Sequence, residues 1–437
     1  MHTMQIDRLI LQNFKGFVQL DQRFNERFTL IVGKNGVGKS SILDALSVAF
    51  GAFLLGIPNA SSRHIQKGEV RETSRNFDGR LEFNHAFPAV IEAEGVVQEP
   101  MTGVSCPLSW KRELAKPSGR TTIKDAREIR EVARAAYDGV ISGSDPTLPL
   151  LSYYGTGRLW GEPKRMSRKV RPSRFDAYRN SHEPRVSSGD LLDWLKRMRL
   201  IEFENERPSP ILAAWCKAVE SCFDEPTRVN YSPSRERLEI TFENRGQTVS
   251  YDNLSHGQRN ILSMIGDIAY KASILNPHLG AEAASSVRGV ILIDEIDLHL
   301  HPTWQKLIIP ALLRAFPKLQ FVATTHSPFV IQSLCEGVML DLDEMELDDR
   351  VYNLPIGDII EDVQKVEEKD RSASYIGKKR LSENYLSTIE RMSSSSDPDE
   401  RAELESELDE MERQFQDPAL EALLKIERMT RLKRAQK

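Results

Sequence analysis

Residues 4–14, MQIDRLILQNF, alternate apolar and polar side chains, the period-two pattern of a strand that buries one face. FTLIV at 28–32 is a continuous apolar run and predicts a strand covered on both faces. GKNGVGKS interrupts the pattern, and SSILDALSVAFGAFL resumes it at helical spacing. Residues 60–150 are irregular, with short strand-like pieces such as GRLEFN and VSCPLSW. LLSYYGTGRLW reads as an apolar strand ending in a Gly-Thr-Gly turn, and residues 161–185, rich in Arg, Lys, Ser and Pro, read as an exposed loop. Two helical patterns follow between 189 and 223, then a hairpin with RLEITFE and TVSYDNL around the turn NRGQ. After LSHGQRN comes a long apolar-striped helix, and then RGVILIDEID, WQKLIIPALLRAF, LQFVATTHS and PFVIQSLC alternate as strand, helix, strand, helix. That alternation implies parallel pairing.

From about Glu361 the pattern turns highly charged, with helical stretches broken at SSSSDPDE. At 437 residues the chain exceeds what a single core supports. The expected division is an N-terminal lobe over 1–184, a helical insertion over 185–227, a C-terminal lobe over 228–345 and a charged helical region over 346–437. A net charge of -5 argues against a strongly basic nucleic-acid binder, although a local basic groove stays open. Cys106, Cys216, Cys222 and Cys335 form no CxxC pair, which suits reduced thiols in a cytoplasmic protein. The most apolar run, Ala45 to Ile57, is shorter than the ~18 residues a membrane span needs, and no secretion signal opens the chain. The expected setting is therefore cytoplasmic, with no membrane.

The interruption at 33–40 carries the first chemistry. Gly33-Lys34-Asn35-Gly36-Val37-Gly38-Lys39-Ser40 fits GxxxxGK[ST] between a strand and a helix. Such a loop turns backbone N–H groups inward around phosphates, so Asn35, Gly36, Gly38, Lys39, Ser40 and Ser41 are the expected ATP contacts. Lys39 is expected at the β- and γ-phosphates and the Ser40 hydroxyl on Mg²⁺. Val290–Ile293 is an apolar strand that ends in Asp294 and Glu295. Asp294 is the expected second Mg²⁺ ligand, and Glu295 the group that orients and deprotonates the attacking water. His326, at the end of the next strand, can hydrogen-bond the γ-phosphate and Glu295.

Leu254-Ser255-His256-Gly257-Gln258 precedes a helix, so Ser255, Gly257 and Gln258 form an anion-seeking tip. A capping serine and a loop glycine are the alternative. Gln66 is a candidate to complete the Mg²⁺ and water shell, with an exposed loop glutamine as the equal alternative. Arg158 reads as a phosphate contact or a salt-bridge former. His299 and His301 lack a nearby third ligand for a metal. Asp341-Leu342-Asp343 reads as a surface turn.

The loop, the LSxGQ signature, the acidic strand end and the histidine, in this order, resemble the OLD/RecF/SMC-like branch of ABC ATPases over residues 4–60 and 250–345. LILQNFKGF, IDEIDLHLHPTWQ, ATTHSPFVIQS and YYGTGRLW narrow the resemblance to the PtuA ATPases of Septu anti-phage systems and their relatives encoded beside retrons. It implies an α/β fold: an ABC-type ATPase head with a mixed sheet and a phosphate-loop parallel sheet, a helical insertion and a charged helical C-terminal region. It also implies ATP and Mg²⁺, a head-to-tail homodimer or higher homo-oligomer in which Ser255 meets ATP held by the other copy, and Asp297 at the subunit contact. A separate HNH nuclease partner is implied by the resemblance alone. The TOPRIM nuclease domain of OLD proteins and the coiled-coil arms of SMC proteins have no counterpart in the pattern. The competing reading is a DNA-repair or recombination ATPase that clamps DNA in an ATP-dependent way, for which the stretch from Lys164-Arg165 through Arg168-Lys169 to Arg171 and Arg174 speaks. Nucleic acid, directly or through the partner, stays open.

Overall fold

The computed structural model describes residues 4–77, 80–99, 102–159, 173–179, 181–182, 188–348, 354–365, 373–394, 397–415 and 418–435. The chain opens with β1 (Met4–Phe14), β2 (Phe17–Arg23), β3 (Phe28–Val32) and α1 (Lys39–Leu54). Next come β4 (Glu72–Phe77), β5 (Arg80–His85), β6 (Ala89–Gln98), β7 (Ser105–Leu114), α2 (Arg127–Ile141) and β8 (Leu150–Tyr154). The middle holds α3 (Ser188–Asn205), α4 (Pro210–Glu220), β9 (Thr227–Ser232), β10 (Arg237–Phe242) and β11 (Gln247–Ser250). Then follow α5 (His256–Leu275), α6 (Ala283–Ser286), β12 (Gly289–Ile293), α7 (Pro302–Gln305), α8 (Ile308–Ala315), β13 (Leu319–Thr324), α9 (Pro328–Gln332), β14 (Val338–Asp341), β15 (Glu346–Asp348) and α10 (Ile356–Asp358). Last are α11 (Ala373–Ser394), α12 (Pro398–Gln414) and α13 (Pro418–Ala435).

The central sheet has the order β15-β14-β3-β13-β12-β8, with β14, β3, β13, β12 and β8 parallel and β15 antiparallel on β14. All residues of β3, β12, β13 and β8 are buried, as predominantly apolar runs require of strands covered on both faces. Each fully buried Val, Leu or Ile contributes about 1.5–3 kcal/mol relative to exposure. A second, antiparallel sheet has the order β2-β1-β6-β7. The two sheets are tied by Gln320 on β13, whose buried amide accepts from the Ile6 N–H at 2.9 Å and donates to the Ile6 carbonyl at 2.8 Å. The helix α1 is buried over most of its length, and Trp110 of β7 donates to the Ala49 carbonyl within it. This is the expected α/β architecture with a mixed sheet.

Several segments depart from the expectation. The region 60–150 is regular: β6 and β7 are ten-residue strands, and α2 is a 15-residue helix. The hairpin β10–β11 gains a third strand, β9. Asp341-Leu342-Asp343 is a surface turn only in part: Asp341 ends β14 opposite Val32 of β3 and is buried with Leu342, while Asp343 is exposed in the turn that follows. The first compact unit runs through Ile359, with β15 in the central sheet and Ile359 fully buried. The second unit, Ile360–Lys437, has its own core of Tyr385, Ile389, Met392, Leu404, Leu408 and Leu424. Among the described residues no helix is long and apolar enough to cross a membrane.

Candidate active site

The carboxyl ends of β3, β12 and β13 lie side by side, where parallel α/β sheets present their ligands. At the end of β3 the chain turns through Gly33, Gly36 and Gly38, all at positive φ, before α1 starts at Lys39. Gly38 has φ 112°, and a Cβ there would stand 2.7 Å from the Phe17 ring. The Lys39 ammonium donates to the Gly33 and Lys34 carbonyls at 2.8 and 2.9 Å. Burial lowers its pKa, while the carboxylates of Asp343, Asp294 and Glu295 oppose that shift. A buried cation gains from an incoming polyanion.

The acidic strand end meets this loop directly. Asp294 is 6% exposed, and its Oδ1 accepts from the Ser40 hydroxyl at 3.0 Å and the Thr324 hydroxyl at 2.6 Å. The Glu295 N–H donates to the same Thr324 oxygen at 2.8 Å. Glu295 has φ 46°, a left-handed conformation that costs a non-glycine residue of order 1–3 kcal/mol. Together with His326, Asn35, Gly36, Gly38, Lys39, Ser40, Ser41 and Thr324 these two carboxylates line one cleft of about 280 Å³. Hydroxyl and carboxylate oxygens at one wall of a phosphate-sized cleft form the hard donor set that Mg²⁺ takes alongside phosphates and water.

The helix tip lies apart from this cleft. Ser255 caps α5, its hydroxyl accepting from the Gln258 N–H at 3.3 Å while the Gln258 side chain accepts from the Ser255 N–H at 3.1 Å. A Cβ on Gly257 would come within 2.9 Å of the His299 carbonyl, so the glycine lets the helix start against the segment after β12. Asn260 secures the same approach by donating to the Leu298 carbonyl at 2.8 Å. Gln258 lines a separate cavity of about 530 Å³ walled by Phe223, Phe242 and Trp304. Deeper in, Tyr154 joins α5 to the acidic strand end. Its carbonyl accepts the Asp294 N–H at 2.7 Å, and its buried hydroxyl donates to Asp267 at 2.7 Å, which Lys271 pairs at 2.8 Å.

Gln66 does not line the cleft. Its backbone N–H donates to Glu69, and its amide donates to the His64 carbonyl at 3.3 Å. The turn that carries it is pinned by Arg63, which bridges Asp44 of α1 and Glu69, with Lys15 on Asp44 as well. Asp297 accepts from the Thr325 hydroxyl at 2.5 Å. His301 caps α7, and His299 adopts φ 61°. Arg174 packs on the Leu275 carbonyl and Asp145. The side chain of Arg158 and the residues Lys164, Arg165, Arg168, Lys169 and Arg171 lie outside the described residues. The sequence reading missed Thr324, which bridges both acidic residues. Its place two residues before His326, at the end of an apolar run, was the available signal.

Residues 28–332 match the family model described as "AAA domain, putative AbiEii toxin, Type IV TA system". The chain is 24% identical over 397 residues to the "Retron Vc95 probable ATPase" of Vibrio cholerae serotype O1 biovar El Tor, covering 78% of this chain and 74% of the relative. It is 26% identical to the "Retron Ec83 probable ATPase" of Escherichia coli, covering 76% and 70%. With the "Septu protein PtuA" of Bacillus thuringiensis it shares 23% identity over 85% of this chain and 86% of the relative. With the phosphate loop, acidic strand end and histidine gathered in one cleft inside the matched span, the chain belongs to this AAA-domain family and is an ATPase.

Proposed function

We propose that this chain binds Mg²⁺–ATP between two of its copies and hydrolyses it, and that the cycle regulates a partner nuclease in anti-phage defence. The observation that carries the reading is the division of the site: Lys39, Ser40, Asp294, Glu295 and His326 share one cleft, while Ser255 stands outside it on an exposed helix tip. Lys39 and the loop N–H groups hold the β- and γ-phosphates. Ser40 and Asp294 hold Mg²⁺, which neutralises charge on the phosphate oxygens. Glu295 accepts a proton from the attacking water, and His326 donates to the γ-phosphate. Ser255 and the α5 N-terminus of a second copy bring further N–H donors to the same phosphate. Gln66 reaches the metal shell only if its turn opens. The Septu and retron relatives support the defence role, and the charged helices α11–α13 supply the surface for an HNH nuclease.

The test is Glu295→Gln in the full chain. Losing the general base lowers kcat about 10²–10⁴-fold, while ATP binding persists and the dimer accumulates in light scattering. Hydrolysis at the unchanged rate ends the role given to Glu295. Ser255→Arg retains ATP binding and stays monomeric; an ATP-dependent dimer of that variant ends the two-copy arrangement. Co-expression with the adjacent gene, followed by mass measurement of the complex, tests the partner.

A further inference from the structure

We propose that Asp343 is a positioning residue of the phosphate loop: it fixes the Gly33–Lys34 peptide with its carbonyl facing Lys39. This rests on the reading of the loop as the ATP phosphate cradle. The planar unit between Gly33 and Lys34 carries the Gly33 carbonyl on one side and the Lys34 N–H on the other. The carbonyl accepts from Lys39 Nζ at 2.8 Å, and the N–H donates to Asp343 Oδ2 at 2.9 Å. The peptide is therefore clamped between a cation and an anion, and its rotation breaks both bonds.

Asp343 is itself held in place. Its N–H donates to Oδ1 of the buried Asp341 at 2.9 Å, and the Leu342 N–H donates to the Val32 carbonyl at 3.1 Å. Asp341 stands opposite Val32 in the parallel pairing of β14 with β3, so the sheet register sets where Asp343 falls. A Cβ on Gly33 would lie 3.5 Å from Leu342 Cβ and 3.6 Å from Asp343 Oδ2, so the Asp341–Asp343 segment packs along the base of the loop. Asp343 also heads the carboxylates that oppose the burial-driven fall in the Lys39 pKa. It acts on the site through Lys34 and Lys39.

The experiment titrates full-length protein with a fluorescent mant-ATP and Mg²⁺, and measures KM and kcat for ATP. Asp343→Ala weakens binding and raises KM about tenfold, as expected for a lost charge-assisted hydrogen bond, with kcat within about twofold. Asp343→Asn, whose amide oxygen still accepts the Lys34 N–H, stays within about threefold of the parent. Circular dichroism confirms that each variant is folded, and Asp343→Ser, too short to reach Lys34, replaces an unfolded alanine variant. Wild-type or tighter binding by Asp343→Ala overturns the proposal, as does an asparagine variant as weak as alanine. Lys39→Ala is the control: if it binds mant-ATP like the parent, the cradle reading fails, whereas loss in Lys39→Ala with none in Asp343→Ala sinks the Asp343 role alone.

Discussion

At the scale of single residues, the ends of the central strands tolerate little change. Gly289 opens β12 at φ 144°, and a Cβ there would stand 2.0 Å from the Leu150 carbonyl of β8. Gly289→Ala must push the two strands apart, at a cost of about 3 kcal/mol; a urea midpoint equal to the parent's refutes this. His278 supplies a pH effect. Partial desolvation and the nearby Arg174 lower the pKa of this exposed imidazole from 6.5, against an opposing pull from Asp145, so solvent screening keeps the effect small. Below about pH 6.5 the unfolded chain then binds more protons than the fold, so this contribution to stability is complete above that pH and is lost as pH falls. The fall in urea midpoint from pH 7.5 to pH 5.5 is expected to be smaller in His278→Gln than in the parent. Equal losses refute the assignment.

Among the elements, legibility followed tertiary context. The strands β3, β12 and β13 were readable because their runs are predominantly apolar, and the phosphate loop because its glycines keep fixed spacing. The strands β6 and β7 were under-read, since Gly95 and Pro107 break their patterns. A Cβ on Gly95 would lie 2.0 Å from the Gln5 carbonyl, beside the irregularity between Ile6 and Arg8, so the glycine serves a close approach of β1. The helix α2 escaped notice because its buried stripe is largely small: Ile129, Ala133, Ala136 and Gly139. In the site, Lys39, Ser40, Asp294 and Glu295 stood in motifs and Thr324 closed the apolar run before His326, whereas Asp343 owes its place to strand register, which no local pattern announces. The C-terminal helices give the prediction for this scale. Leu408 of α12 is fully buried among Tyr385, Ile389 and Leu424, so Leu408→Ala costs about 2–5 kcal/mol within that unit. Amide exchange in α11–α13 is expected to quicken while β3, β12 and β13 keep their protection; an unchanged pattern in α11–α13 contradicts the core described.

For the molecule as a whole, the decisive fact is how far the central sheet reaches along the chain. Its parallel strands come from 28–32, 150–154, 289–293, 319–324 and 338–341, and β3 sits between the two that are made last. A chain emerging from the ribosome therefore carries Lys39 and Ser40 long before it has Asp294 or a neighbour for either edge of β3. Until residues 319–324 are out, the buried five-residue strand β3 stays unpaired, and one of its edges stays open until residue 341 is out, a template for misassembly. Such late closure makes folding slow relative to helical bundles. It also means that a message cut short anywhere upstream of β14 yields a product for the proteases, rather than a weakened enzyme.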